Sequence, residues 1–134
     1  MNPELAKDLP FIRKRAAQLL SKSRFIAAQF DAYLKDGLWL EMAAYANNMA
    51  KQLQAGIVSS KRARLAWVAE SNEVFAILDK TDMEQLQNQG AVFYEWNPPR
   101  AKAGLVDEQE VLVRLVTSFA TEADQVDRFI SLLG

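Results

Sequence analysis

The chain has 134 residues, half of them apolar and a quarter charged, with a formal net charge of −1 and an isoelectric point near 5.5. That length suits a single domain that buries roughly two thirds of its unfolded surface, and the weak charge argues against nucleic acid or an anionic membrane as partner, since both need a basic field. With no cysteine and no histidine, disulfides, thiol nucleophiles, zinc fingers, the commonest general base and the commonest metal ligand are all excluded.

No apolar run approaches the ~20 residues of a membrane span, and the opening "MNPELAKDLPF" lacks the basic-then-apolar pattern of an export signal, so a cytoplasmic chain is expected. Asp8 followed by Pro10 marks a helix start. Ile12, Ala16, Leu19, Leu20, Ile26, Ala27, Phe30 and Leu34 then recur at helical spacing, and Gly37 is placed to stop that helix. Leu38, Met42, Ala46, Met49, Ala50, Leu53 and Ile57 predict a second long helix, ended by Gly56 and Ser59-Ser60.

The texture changes near residue 63. Leu65, Trp67 and Ala69 alternate with Arg64, Ala66 and Val68, "ESN" turns the chain, and "EVFAIL" completes a hairpin. Thr81 is a cap for a short helix through Leu86, closing at Gly90. "AVFYEW" and "VLVRLV" predict two more strands, separated by the loop "NPPRAKAGLVDEQ". Thr121 is a cap for a last helix with Val126, Phe129, Ile130 and Leu133 on its buried stripe. The expected fold is α+β: a two-layer sandwich whose antiparallel sheet of three to four strands is covered by helices, with a long N-terminal helical pair. Residues 1–134 are expected to form a single domain, helical over 1–60 and mixed over 61–134. The first helix is apolar on more than one face, with Phe11, Phe25 and Tyr33 off its main stripe, and so expects a partner surface, another copy or a missing domain.

No phosphate-cradling glycine motif, metal-ligand spacing or catalytic constellation is present. The run "KRAR" (61–64) reads most simply as a solvated loop, and Glu95 as an outward strand residue. Arg13, Lys14 and Arg15 lie about two helical turns from Lys22 and Arg24, as a wet helix face or as one ligand-facing set. Arg114 stands between Leu112 and Val116 on one strand face. Either that face is the wet side of an edge strand, or the guanidinium grips a carboxylate, which arginine does better than lysine.

The segments "LLSKSRFIAAQFDAYLKDGLWL", "NEVFAIL", "AVFYEW" and "VRLVTSFAT", in this order, resemble the C-terminal small domain of low-specificity L-threonine aldolases, fold-type-I enzymes of the β-eliminating lyase family. The resemblance implies pyridoxal 5′-phosphate (PLP) as cofactor and cleavage of threonine or allo-threonine to glycine and acetaldehyde. It implies that Arg114 holds the substrate carboxylate, that Lys14, and after it Lys22, lies near the cofactor, and that the complete enzyme is a homo-oligomer. It also implies that the large domain carrying the Schiff-base lysine and the phosphate loop is not in these 134 residues. No catalytic residue and no metal ligand is therefore expected here, and the chain alone should be inactive. Two other readings stay open: a non-enzymatic dimerisation or interaction module, and a small-ligand module that senses an amino acid through Arg114.

Overall fold

The computed structural model describes residues 3–99 and 104–134, the side chain of Leu5 excepted; the centre of the expected loop, 100–103, lies outside them. Two compact units emerge, residues 1–39 and 40–134.

The first unit contains helices α1 (Pro3–Ala6), α2 (Leu9–Arg15) and α3 (Ser23–Leu34), then one 3-10 turn at Lys35–Gly37. The single helix expected from Asp8 to Gly37 is interrupted after Arg15. Ala17 takes a left-handed φ of 56° and donates its N–H to the Lys14 carbonyl. Apolar spacing continues across the break, which is why periodicity did not reveal it. Asp36 and Gly37, at φ 53° and 80°, make the expected stop; the left-handed region is one that glycine enters without a steric cost. Neither α2 nor α3 buries a residue. Phe11, Leu19, Leu20, Phe25, Phe30 and Leu34 all stand exposed, an unusual density of apolar surface for a helical segment.

The second unit takes its first helix from α4 (Leu38–Ser59) and adds β1 (Ala63–Leu65), β2 (Glu73–Asp79), α5 (Lys80–Asn88), β3 (Tyr94–Glu95), β4 (Glu110–Val116) and α6 (Ala123–Leu132). The strands form one sheet in the order β1-β2-β4-β3, antiparallel throughout. Val74, Ala76 and Leu78 of β2 face Leu115, Val113 and Val111 of β4 in register. Because side chains alternate along a strand, these six share one face. Onto it pack Ala50, Leu53 and Ile57 of α4, Leu86 of α5, and Val126 and Leu133 at α6. This is the two-layer α+β sandwich expected from the sequence.

Three polar ties join α4 and its C-terminal end to the segments that follow β4 and α6. Thr117 donates its hydroxyl to the Ala46 carbonyl at 2.7 Å, Tyr45 to that of Thr121 at 2.8 Å, and Ser60 to that of Leu133 at 2.9 Å. The "AVFYEW" strand shrinks to Tyr94–Glu95. The caps also differ from those expected. Asp79, not Thr81, precedes α5, and Glu122, not Thr121, caps α6 through a reciprocal box with Gln125. Thr121 instead accepts the Ser118 N–H, one turn earlier.

Gly56 does not end α4; it lies inside it, against Ile130 of α6. A methyl group there would overlap three carbons of the Ile130 side chain. Overpacking of this kind costs about 1–3 kcal/mol, against a gain of roughly 1 kcal/mol in helix propensity. Gly56→Ala should therefore lower stability in urea unfolding, and adding Ile130→Val should restore part of the loss.

Candidate functional site

An open cleft of about 860 Å³ lies in the second unit and is lined by that unit alone, with Tyr94, Trp96, Arg114, Thr117, Arg128 and Phe129 among its walls. β4 is hydrogen-bonded to β2 on one side and to β3 on the other, so Arg114 is not on an edge strand. It lies on the face opposite the helical layer, level with Phe75 on β2 and Tyr94 on β3. Two residues away on that face, Leu112 is 1 % exposed opposite Ile77, also at 1 %. Arg114 thus sits where a dry patch gives way to solvent.

Two contacts fix the guanidinium. Its carbon lies 4.3 Å from the centroid of the Trp96 ring, a stacking distance for a cation on an indole. Its Nη1 donates to Oε1 of Glu73, the first residue of β2, at 3.3 Å. Among the described residues, Nε and Nη2 have no protein partner. Behind Trp96 the aromatic set continues, with Phe75 at 6.1 Å edge-on and Trp67 at 4.6 Å from Phe75. The open question about Arg114 is thereby reduced: a half-exposed face and a carboxylate are both present, and the carboxylate belongs to the chain itself. Glu73 and Trp96 escaped the sequence reading. Glu73 shares a strand face with Phe75 through its spacing of two, but only the β2–β4 register brings it to Arg114.

Lys14 and Lys22 belong to the first unit. Lys14 helps line a smaller hollow of about 450 Å³ there, with Leu9, Pro10 and Phe11. Lys22 is exposed at the N-cap of α3. Glu95 is exposed on β3, and it is the one carboxylate among the residues lining the cleft, which include no lysine and a second arginine, Arg128. No amine stands there to tether an aldehyde cofactor, so the cleft's own residues do not fit a covalently held PLP. Among the described residues, no cluster of acidic side chains is arranged to hold a metal ion. No helix among them is long and apolar enough to cross a membrane.

The "KRAR" run is structural. Arg62 binds Asp82, reaches Gln85 Oε1 at 2.7 Å and donates to the Leu132 carbonyl at 3.1 Å, joining β1, α5 and α6. Arg64 grips Glu110 with two nitrogens, Nη2 to Oε2 at 2.7 Å and Nε to Oε1 at 3.3 Å. The Asp107 N–H adds a third bond to that carboxylate at 3.1 Å.

The fold defines a two-layer α+β domain, and comparison with known proteins says which one it is like. Over 93 residues, 69% of the chain, it is 38% identical to the low-specificity L-threonine aldolase of a Pseudomonas species and 37% identical to that of Pseudomonas aeruginosa. A solved threonine aldolase from Leishmania major superposes on 98% of the chain with a TM-score of 0.82 and 32% identity. The resemblance to the small domain of low-specificity L-threonine aldolases, first read from four short segments, is borne out by these matches. The chain spans 27% of the length of the two bacterial relatives and 36% of the Leishmania protein. No family model matches it.

The Glu110 carboxyl is held below its ordinary value of 4.5, first by the Arg64 hydrogen bonds and then by the Asp107 N–H. A carboxylate whose folded value is depressed adds stability above its unfolded value, and that stability is lost as pH falls through the folded one. The pair is partly exposed, at 50% and 20% of the two side chains, so its worth is at most about 1 kcal/mol. Glu110→Gln should therefore lower the melting temperature above about pH 4.5, with the gap to wild type closing in more acidic buffer. A gap that stays constant with pH would remove the ion pair as its cause.

Proposed function

We propose that this chain serves as the small domain of a threonine aldolase-like enzyme that cleaves L-threonine or L-allo-threonine to glycine and acetaldehyde with PLP. Its own share of that work is to hold the substrate carboxylate on Arg114. The observation that carries this reading is the guanidinium itself, stacked on Trp96 at the wall of a cleft, with Nε and Nη2 left without protein partners. Those two donors are parallel and spaced for the two oxygens of a carboxylate. Carboxylate capture at one end of an amino acid orients the bonds at its α-carbon, which is where positional control contributes to rate.

The bond-breaking chemistry belongs to the remainder of such an enzyme. The relatives are three to four times longer than the matched portion, and the cleft offers no lysine. The 134 residues by themselves are accordingly assigned no turnover. The exposed apolar helices α2 and α3 are assigned to contact with that remainder in a homo-oligomeric, cytoplasmic enzyme. By family likeness alone, Lys14, and after it Lys22, is assigned a place near the cofactor.

Those same exposed helices favour one second reading, a non-enzymatic interaction module that keeps the fold without the chemistry. Arg114 carries the test of the first reading. In an enzyme joining this domain to a PLP-binding large domain, Arg114→Ala should raise KM for L-threonine steeply while the melting temperature barely moves. Removing one side of a charged, bidentate contact is worth about 2–5 kcal/mol. An unchanged KM would remove the carboxylate-holding role from Arg114.

A further inference from the structure

We infer that Trp96 is a positioning residue: its indole face holds the Arg114 guanidinium in the orientation that leaves the Nε–Nη2 edge open to a ligand. The inference rests on Arg114 being the carboxylate-binding residue and names the side chain that keeps it ready. An arginine on a sheet surface has a long flexible stem and, at 38% exposure, room to move it. Ordering such a side chain only when a ligand arrives weakens binding, and a side chain already ordered avoids that loss.

The surroundings of the planar group divide by direction. Trp96 lies over its face, 4.3 Å from guanidinium carbon to ring centroid. Glu73 accepts from Nη1 at 3.3 Å, on the side away from the Nε–Nη2 edge. A carboxylate meets that edge in the plane of the group, whereas the indole is stacked out of the plane, so ligand and ring do not compete. Trp96 and Arg114 both line the cleft.

Trp96 is 40% exposed and stands outside the apolar core that β2 and β4 build with the helices. What holds it is the aromatic row behind it: Phe75 meets it edge-on at 6.1 Å, and Trp67 backs Phe75 at 4.6 Å. Ring pairs of this kind prefer particular orientations and so fix the indole plane. Its backbone is anchored as well, the N–H donating to the Leu112 carbonyl at 2.7 Å, two residues along β4 from Arg114. The ring is therefore set by the sheet rather than by the arginine, which is what positioning requires.

The test uses the full 134-residue chain with acetate as the probe, following the Arg114 Nε–H and Trp96 indole N–H resonances by NMR. In wild type the Nε–H resonance should sit upfield, shifted by the indole ring current, and should move as acetate is added. Trp96→Leu keeps apolar bulk but removes the π face. It should return the Nε–H resonance toward that of a free arginine and weaken acetate about two- to fivefold, the worth of an exposed cation–π contact. Trp96→Phe should retain most of both signals, and the melting temperature of each variant should stay close to that of wild type. Arg114→Gln should abolish acetate binding. If Arg114→Gln binds acetate as wild type does, the assignment of Arg114 falls and this inference falls with it. If Arg114→Gln abolishes binding while Trp96→Leu holds acetate as tightly as wild type, the assignment stands and the positioning role of Trp96 is overturned. Equal losses in Trp96→Leu and Trp96→Phe, with a fall in melting temperature, would make the ring a packing residue and overturn that role too. If acetate shifts neither wild-type resonance, both fail.

Discussion

Seven register pairs hold β2 against β4, from Glu73 opposite Val116 to Asp79 opposite Glu110. Since side chains alternate along each strand, that register sorts the sheet into two faces with different chemistry. A slip of one residue in β4 would turn Val111, Val113 and Leu115 away from the helices and drive Arg114 into the packed layer beneath α4. A guanidinium placed there without a partner would be costly. The apolar core and the position of the arginine are thus two consequences of one pairing.

The opposite face is built by the same alternation. Ile77 and Leu112 close one end of it, and Phe75, Trp67 and Trp96 form an aromatic ledge toward the other. Arg114 ends that ledge with its planar group over the indole. The arrangement holds the cation by its face and leaves one edge to solvent, which a flexible lysine could not reproduce. β3 is only two residues long, yet it matters, because its register with β4 brings Tyr94 level with Arg114 and leads directly into Trp96.

Much of this was legible in the chain before any coordinates. The α+β class, the long second helix, the place of "EVFAIL" and "VLVRLV" as strands of an antiparallel sheet and the singularity of Arg114 follow from period-2 and helical spacing and from one charge in an apolar run. What escaped has physical reasons. The interruption at Ala17 left no trace in the apolar pattern. Gly56 read as a helix stop because its reason for being small, the side chain of Ile130, lies 74 positions away in sequence. Glu73 carried no signal of its own in the sequence; only the β2–β4 register sets it beside Arg114. Local pattern reveals elements; the contacts that make a site come from pairing between distant ones.

The central claim is that this domain carries a substrate-holding arginine but not the machinery that breaks the bond. Its most direct test is acetaldehyde release from L-threonine by the purified 134-residue chain in the presence of PLP. The account predicts no release above that of PLP alone. Turnover above that level would mean that one of the chain's own lysines tethers the cofactor, and the division of labour argued from the lysine-free cleft would be wrong.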